Sequence, residues 1–520
     1  MAEVRLVSRG PLRRRALLLR SAPTVLAAAL LLGGAVPYLS GSERGYLSYL
    51  VLADRLDSQG AATAQQAARA VGGQVVQDYP QIGAVLAYAN DGRFAERLRV
   101  RPGIAAVGAT RTAPVPGPPG ALSGAGGFHG SGSDSDRFAG GKAVVDGRAV
   151  ADGMEGDSTP TVPDPGERVG WNLAMMGAAA TAQAPAALLA APAPTGARDA
   201  ARESALRQVL VAVLDSGVDD THPDLRNAVS PGDSASCADG RPDARFGAWR
   251  PDSGVTESGH GTHVAGLIGA ARDGHGVVGV APGVRIAAVR LLGPLGQYYP
   301  ENIVCGLLWA ADHGAVAVND SYFADPWKYN CPEDPDQGAM SLAVGRAVAY
   351  AQRRALVVAS AGNDGQDLAG PRVDQRSPND RLSGPAQDRR LGTECVRLPG
   401  ELPGVLSVSA VTRTGALAPY SNFGEGRIAL AAPGGDPDAG PDDAIVSDWP
   451  GGRYAALAGT SMSAAHVTGA IAVAAALHPG WGPDRLRGLL LAQAGANCPI
   501  GPGLCRDRRS YGAGIVALPR

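Results

Sequence analysis

From about residue 168 to residue 520, short apolar runs alternate with longer Ala-rich ones, and no other feature restricts the fold as much. Val209–Leu214, Ile286–Leu291, Ala315–Val318, Ala355–Ala359 and Leu406–Ala410 are continuous and apolar, as strands buried on both faces must be. Between and after them lie helix-like runs, Thr262–Ala271, Ile303–His313, Ser341–Arg353 and Ser461–Leu477. Strand and helix in alternation predict a mostly parallel sheet with helices on both faces, a three-layer α/β fold. Ser461–Leu477 is apolar nearly all round, so that helix is expected at the centre of a core rather than on a surface.

Residues 46–112 form a second pattern. Tyr46–Leu52, Gln74–Val76, Ile82–Tyr88 and Ile104–Val107 are strand-like, and Ala61–Ala70 and Phe94–Val100 are helix-like. Strand–helix–strand–strand–helix–strand is the split βαβ, or ferredoxin-like, order. Between the two patterns, residues 113–167 are rich in Pro, Gly, Ser and Asp and lose apolar periodicity, which reads as a linker or processing region. At about 150 residues per domain, 520 residues allow roughly three folded units.

Residues 1–41 read as an address. Six arginines between Arg5 and Arg20 precede an apolar run from Ala22 to Tyr38, followed by the small residues Ser40 and Gly41. This is the order of a secretory signal. The alternative is an uncleaved anchor, since about 17 residues lie at the lower limit of a bilayer span. A net charge of −2 argues against nucleic acid as a partner, and the lack of further membrane-length runs argues against a polytopic membrane protein. Export agrees with six cysteines, Cys237, Cys305, Cys331, Cys395, Cys498 and Cys505. Six cysteines allow 15 pairings, which sequence alone does not choose among. Cys498 and Cys505 are close enough for a local clip, and Cys237–Cys305 with Cys331–Cys395 are taken for the rest.

Three motifs carry reactive side chains. Val211–Asp219 runs an apolar strand into Asp215 and a Gly turn. Gly259–Gly266 places His260 where a helix opens. Gly459–His466 places Ser461 at the start of the buried helix. Sites in open α/β sheets gather at the carboxyl ends of strands, so these residues are expected to converge there. A serine hydroxyl needs an imidazole to take its proton, and the imidazole needs a carboxylate to fix its tautomer. A fourth motif, Val357–Gly365, ends a strand at Asn363, whose amide suits it to hold an oxyanion together with the N–H of Ser461.

Asp, His, Asn and Ser in this chain order resemble the subtilisin family of serine endopeptidases. The resemblance covers roughly residues 168–520. It implies a subtilisin-like fold in which Asp215, His260 and Ser461 are catalytic, Asn363 donates to the oxyanion, and the reaction needs no cofactor. It implies an extended polypeptide substrate added as a strand between Gly293–Tyr298 and Ser321–Phe323. Gly296, Ser321, Tyr322, Phe323, Ser360, Ala361 and Gly362 then border the substrate. Residues 46–112 resemble the family's inhibitory propeptide, which makes the chain a zymogen whose own propeptide is an intramolecular partner, secreted or held at a membrane by its N-terminal segment. Asp224 and Asp273 correspond to carboxylates of a structural calcium loop, completed by backbone carbonyls. Two departures stand out. Ala465 replaces the usual Pro before His466, and Ser321-Tyr322-Phe323 replaces Ser-Leu-Gly, which alters the pocket wall beside the scissile residue.

Other readings compete. Asp215 suits a turn cap and Ser461 a helix N-cap. His260 and His263 are three apart, as metal ligands can be, but the intervening Glu of a zinc protease is absent, and His263 reads as a buried structural residue. Gly459–Ser463 is not GxSxG, and the order differs from that of α/β-hydrolases, which disfavours a lipase or esterase. Gly274–Gly279 spells GxGxxG but follows a helix, so it reads as a loop. Asn319–Ser321 is a glycosylation sequon on an expected core strand. A non-catalytic envelope protein keeping the same fold is the alternative from another class; labelling by a fluorophosphonate separates the two.

Overall fold

A computed structural model describes residues 45–115, 117, 144–145, 148–149, 161–167, 169–177, 197–255, 258–294, 296–380, 388–496, 498 and 504–519. The signal or anchor read at 1–41 lies outside the described residues, as does most of the region read as a linker.

The first pattern folds as β1 (Leu47–Ala53), α1 (Ser58–Ala70), β2 (Gln74–Tyr79), β3 (Ala84–Ala89), α2 (Phe94–Arg99) and β4 (Ile104–Ala109). The strands form an antiparallel sheet in the order β2-β3-β1-β4. Because side chains alternate along a strand, β1 serves two cores. Tyr49 and Val51 pack with Ala64, Ala68, Phe94 and Leu98 of the unit's own helices. Leu50 and Leu52, with Leu86 and Tyr88 of β3, face the other way into a core shared with the main body. The unit closes on itself, since Tyr46 and Val115 exchange backbone hydrogen bonds of 2.7 and 2.8 Å.

The main body is a seven-stranded parallel sheet. Its strands are β5 (Leu210–Asp215), β6 (Ala235–Ser236), β7 (Arg285–Arg290), β8 (Ala317–Asp320), β9 (Leu356–Ser360), β10 (Leu406–Val411) and β11 (Leu430–Pro433). Their spatial order is β11-β10-β9-β8-β5-β7-β6. The flanking helices are α3 (His260–Gly269), α4 (Pro300–Asp312), α5 (Pro335–Ala351), α6 (Thr460–Leu477) and α7 (Pro483–Ala496). Val211 and Val213 of β5 enter one core with α3 and α6. Leu210, Ala212 and Leu214 enter the other with α4, α5 and the small unit. The three-layer α/β arrangement expected from the alternation is therefore present, and α6 is buried along almost its whole length, as an all-apolar helix must be.

Two differences from expectation have simple causes. Thr161 and Val162, inside the region read as a linker, pair with Ala455 and Tyr454 on the edge of a hairpin, Ile445–Trp449 with Arg453–Leu457. Such an addition pairs two residues through their backbones, with Val162 packing against Val277 and Tyr454, and is too short to leave an apolar period to read. Gly293–Tyr298, expected as an extended edge, is instead drawn into a turn, with Gly296 N–H donating to Gly293 O at 2.9 Å and Gly293 N–H to Gln297 O at 3.2 Å. Gly296 takes φ +77°, which favours a residue without Cβ.

Candidate active site

β5 ends at Asp215, which is fully buried. Its carboxylate accepts from the backbone N–H of Ser216 at 2.7 Å and from the Tyr298 hydroxyl at 3.4 Å. His260 opens α3 with Nδ1 at 2.8 and 3.0 Å from the two carboxylate oxygens. An ionised carboxylate only accepts, so Nδ1 carries the proton and Nε2 is left as the base. The next residue has to be small, because a Cβ at Gly261 would stand 2.4 Å from Gly217 O and 3.0 Å from Asp215 Cβ.

A second cluster forms where β9 meets α6. Asn363 Oδ1 accepts from Thr460 N–H at 3.0 Å and Thr460 Oγ1–H at 2.7 Å, while Thr460 Oγ1 accepts from Gly362 N–H at 3.1 Å. These bonds hold the acceptor end of the amide on Thr460 and turn its NH2 end away from it. Ser461 follows, 4% exposed, with Oγ donating to Ser321 O at 3.3 Å. The Ser321 hydroxyl donates back to Ser461 O at 3.2 Å. Asn319 steadies this crossing by donating to Ser321 Oγ at 2.8 Å and accepting from Thr468 at 3.0 Å. It is fully buried, which leaves the sequon on a core strand inaccessible to glycosylation. α3 and α6 pack against each other, so both reactive residues stand at the starts of neighbouring helices.

The residues expected to border the substrate are mostly buried. Ser321, Tyr322, Ser360 and Ala361 are 7%, 6%, 2% and 2% exposed, and Phe323 is half-buried. The Arg397 guanidinium lies under the Phe323 ring at 5.3 Å, donates to Ala361 O at 3.2 Å and fills the space beside Gly362. Where Ser-Leu-Gly would leave a slot, an aromatic ring and an arginine stand. Sequence reading missed Arg397, which lies far away in the chain. It also missed the stack of Tyr298 on Tyr322, at 4.8 Å and 6°, and the buried Asp320, whose Oδ1 accepts from Tyr322 at 2.6 Å. Burial, with the charge of Asp215 adding to it, pushes the Asp320 carboxyl up to about 7.

His263 donates through Nε2 to Ile445 O and Ala455 O, both at 3.2 Å, and burial holds it down at about 3. His466 bonds Met462 O at 2.7 Å and Asn172 at 2.8 Å, and burial holds it at about 4. Both are neutral structural residues. Asp224 is buried and accepts from Val277 N–H at 3.1 Å, while Asp273 is exposed and accepts from His275 N–H in its own turn at 3.2 Å. The cysteines pair as Cys237–Cys305, Cys331–Cys395 and Cys498–Cys505.

A model of the subtilase family matches residues 207–514. Subtilisin Savinase from Lederbergia lenta is 32% identical over 279 residues, 54% of this chain and 80% of that protein. Fervidolysin from Fervidobacterium pennivorans is 31% identical over 311 residues, 55% of this chain, and M-protease from Shouchella clausii is 31% identical over 308 residues, 59% of it. The aligned part of the chain spans only 37% and 62% of those two relatives. Among solved structures, the epidermin leader peptide processing serine protease of Staphylococcus aureus aligns with TM-score 0.62 at 20% identity, covering 91% of this chain and 98% of that one. Fervidolysin aligns with TM-score 0.55 at 24% identity, covering 91% and 60%. At these identities the structural likeness speaks to the fold.

Proposed function

The chain belongs to the subtilase family of serine peptidases, and from that premise we propose that it is an exported serine endopeptidase, made as a zymogen, in which Asp215, His260 and Ser461 cleave peptide bonds. The observation that carries this reading is the grip of His260 Nδ1 on both oxygens of the Asp215 carboxylate, at 2.8 and 3.0 Å.

The Ser461 hydroxyl attacks the carbonyl carbon of the substrate while His260 Nε2 takes its proton. The new oxyanion is received by the NH2 of Asn363 and the N–H of Ser461. As the C–N bond breaks, the imidazolium returns the proton to the leaving amine and an acyl-enzyme remains. Water repeats the sequence, releasing the acid and restoring the hydroxyl. Asp215 holds the imidazole in the working tautomer throughout and stabilises its cation. Loss of one oxyanion donor typically costs about 3–4 kcal/mol of barrier. Every proton in this scheme is carried by these groups, so no cofactor takes part.

Residues 46–112 serve in this reading as an inhibitory propeptide. Support comes from the shared core, from Arg111 donating to the buried Glu301 carboxylate at 2.9 and 3.1 Å, and from Asp380 accepting the backbone N–H groups of Thr112 and Ala113 at 2.7 and 3.2 Å. Secretion rests on residues 1–41. For the calcium that the resemblance implies, Asp224 and Asp273 with loop carbonyls would be the ligands. The buried, unpartnered carboxylate of Asp448 nearby fits a cation in this region. Such an ion would tie the 273–277 loop to the body, and no step of the reaction passes through it.

Ser461→Ala tests the reading: the variant should lose peptide hydrolysis and keep its propeptide uncut. Casein cleavage at the unsubstituted rate would refute it.

A further inference from the structure

Three side chains outside the catalytic cluster form a closed group. The donor atoms of His222, Asp224 and Asp448 lie within 4.8 Å of one another. All three residues are sealed from solvent, at 0%, 1% and 0% exposed. Neither oxygen of Asp448 has a hydrogen-bond partner. Two carboxylates placed together away from water demand a positive charge, and a folded protein supplies it as a metal or a proton.

His222 decides between them. Its Nε2 stands 3.0 Å from Arg453 O and must donate there, so Nδ1 carries the lone pair, which meets the Asp224 backbone N–H in a long contact of 3.3 Å. Nδ1 faces Asp448 Oδ1 at 3.8 Å. Two lone pairs that distance apart are too far for a hydrogen bond, yet both are in reach of one ion forming bonds of about 2.0–2.1 Å. A ligating histidine commonly gives its other N–H to a backbone carbonyl, as His222 does. The ring of Tyr454 packs edge-on to the imidazole at 5.4 Å, and its hydroxyl lies 3.4 Å from each oxygen of Asp224. Tyr454 also borders a cavity of about 510 Å³ lined by Asp164, Arg226, Asp273 and His275. Among the described residues, the other group of metal-binding residue types, Cys331, Glu333 and Cys395, has both sulfurs in a disulfide.

We propose that His222, Asp224 and Asp448 form a binding centre for a divalent transition-metal ion such as zinc. One imidazole nitrogen with two carboxylates is a donor set of that class, whereas calcium takes oxygen alone. The inference is independent of the peptidase reading. It shares Asp224 with the calcium pair but takes His222 and Asp448 in place of Asp273, so the two ions are alternatives for that carboxylate.

The test uses the full chain carrying Ser461→Ala, so that binding is read without proteolysis. The protein is stripped with a chelator and reloaded with zinc, cobalt or calcium. After desalting, bound metal is counted by mass spectrometry, and the visible absorption of cobalt reports nitrogen and oxygen ligation. Expected is one equivalent of zinc or cobalt. Asp448→Asn and His222→Gln should each weaken it by roughly tenfold or more and alter the cobalt spectrum. Asp448→Asn keeps size and shape, and circular dichroism on both variants separates lost binding from lost folding. The proposal is overturned if folded protein retains no more zinc or cobalt than the doubly substituted chain, which would leave a proton shared by the two acids. It is equally overturned if calcium alone binds and neither substitution weakens it.

Discussion

Asp320 offers a measurement whose sign depends on pH. The residue ends β8 beside Leu214 of β5 and Ala359 of β9. It is fully buried; one oxygen accepts from Tyr322, and the other has no partner. Its carboxyl sits at about 7 instead of the usual 3.8. At about 1.4 kcal/mol per tenfold, that difference is worth about 4 kcal/mol. Below the lower value the group is neutral whether folded or unfolded, and nothing is lost. As pH rises, only the unfolded chain ionises freely, so native stability falls until about pH 7 and is level above it. Asp320→Asn removes this titration. The amide still accepts from Tyr322 but buries an NH2 with no partner, at a cost of roughly 1–3 kcal/mol at every pH. The variant should therefore be no more stable than its parent at pH 4.5 and more stable by about 1–3 kcal/mol at pH 8. Urea unfolding of both proteins in a Ser461→Ala background measures the two differences. Equal differences at the two pH values would show that Asp320 does not titrate in this window, and the reasoning fails.

Three further outcomes follow from the site. Thr460→Val should lower kcat without raising KM, by less than the roughly 10²–10³-fold expected for Asn363→Ala, because it removes the hydroxyl bond to the amide and leaves the backbone N–H bond in place; unchanged kinetics on a chromogenic peptide would contradict the role given to the Thr460 hydroxyl. Phe323→Gly should shift cleavage of a peptide library toward larger residues before the scissile bond, since ring and guanidinium now occupy that space; an unchanged profile would place the pocket elsewhere. Replacing Cys237 and Cys305 by Ala should cost more stability than the same change at Cys498 and Cys505, about 4 against about 2–3 kcal/mol, because the bridges span separations of 68 and 7 residues. Urea midpoints in the reverse order would argue that strain or packing, rather than loop closure, sets their worth.

Most of the sheet could be read in advance because burial leaves a strong mark on composition. Leu210–Leu214 is apolar at every position since each face of β5 meets its own core, and α6 is apolar nearly all round for the same reason. Asp215, His260, Asn363 and Ser461 could be singled out because each follows a strand or opens a helix in a Gly-bearing motif. Long-range side-chain geometry could not. Arg397 reaches the pocket across a distance in sequence that no local pattern encodes. Asp320 reads as the end of a core strand, and only the packing of Tyr298 on Tyr322 shows how thoroughly its carboxyl is sealed. Asp448 likewise sits in a polar-looking Ser-Asp-Trp-Pro stretch, with nothing local to indicate His222 opposite it. Helix α7 was not anticipated either: with Leu486, Leu490 and Ala494 buried along one side, it lacks the unbroken apolar run that marked α6.

The closure of the small unit through Tyr46 and Val115 bears on how an inhibited form would end. Its tail turns back along its own first strand, and the unit's hold on the body includes the core at Leu50, Leu52, Leu86 and Tyr88 and polar pairs at Glu301, Asp336, Arg346 and Asp380. In the zymogen reading, scission of the backbone between Val115 and Thr161 severs the tether and breaks none of these contacts. Cutting and departure are thus distinct events: the first is a matter of bond chemistry, while the second follows a dissociation constant that dilution, or digestion of the freed unit, can shift.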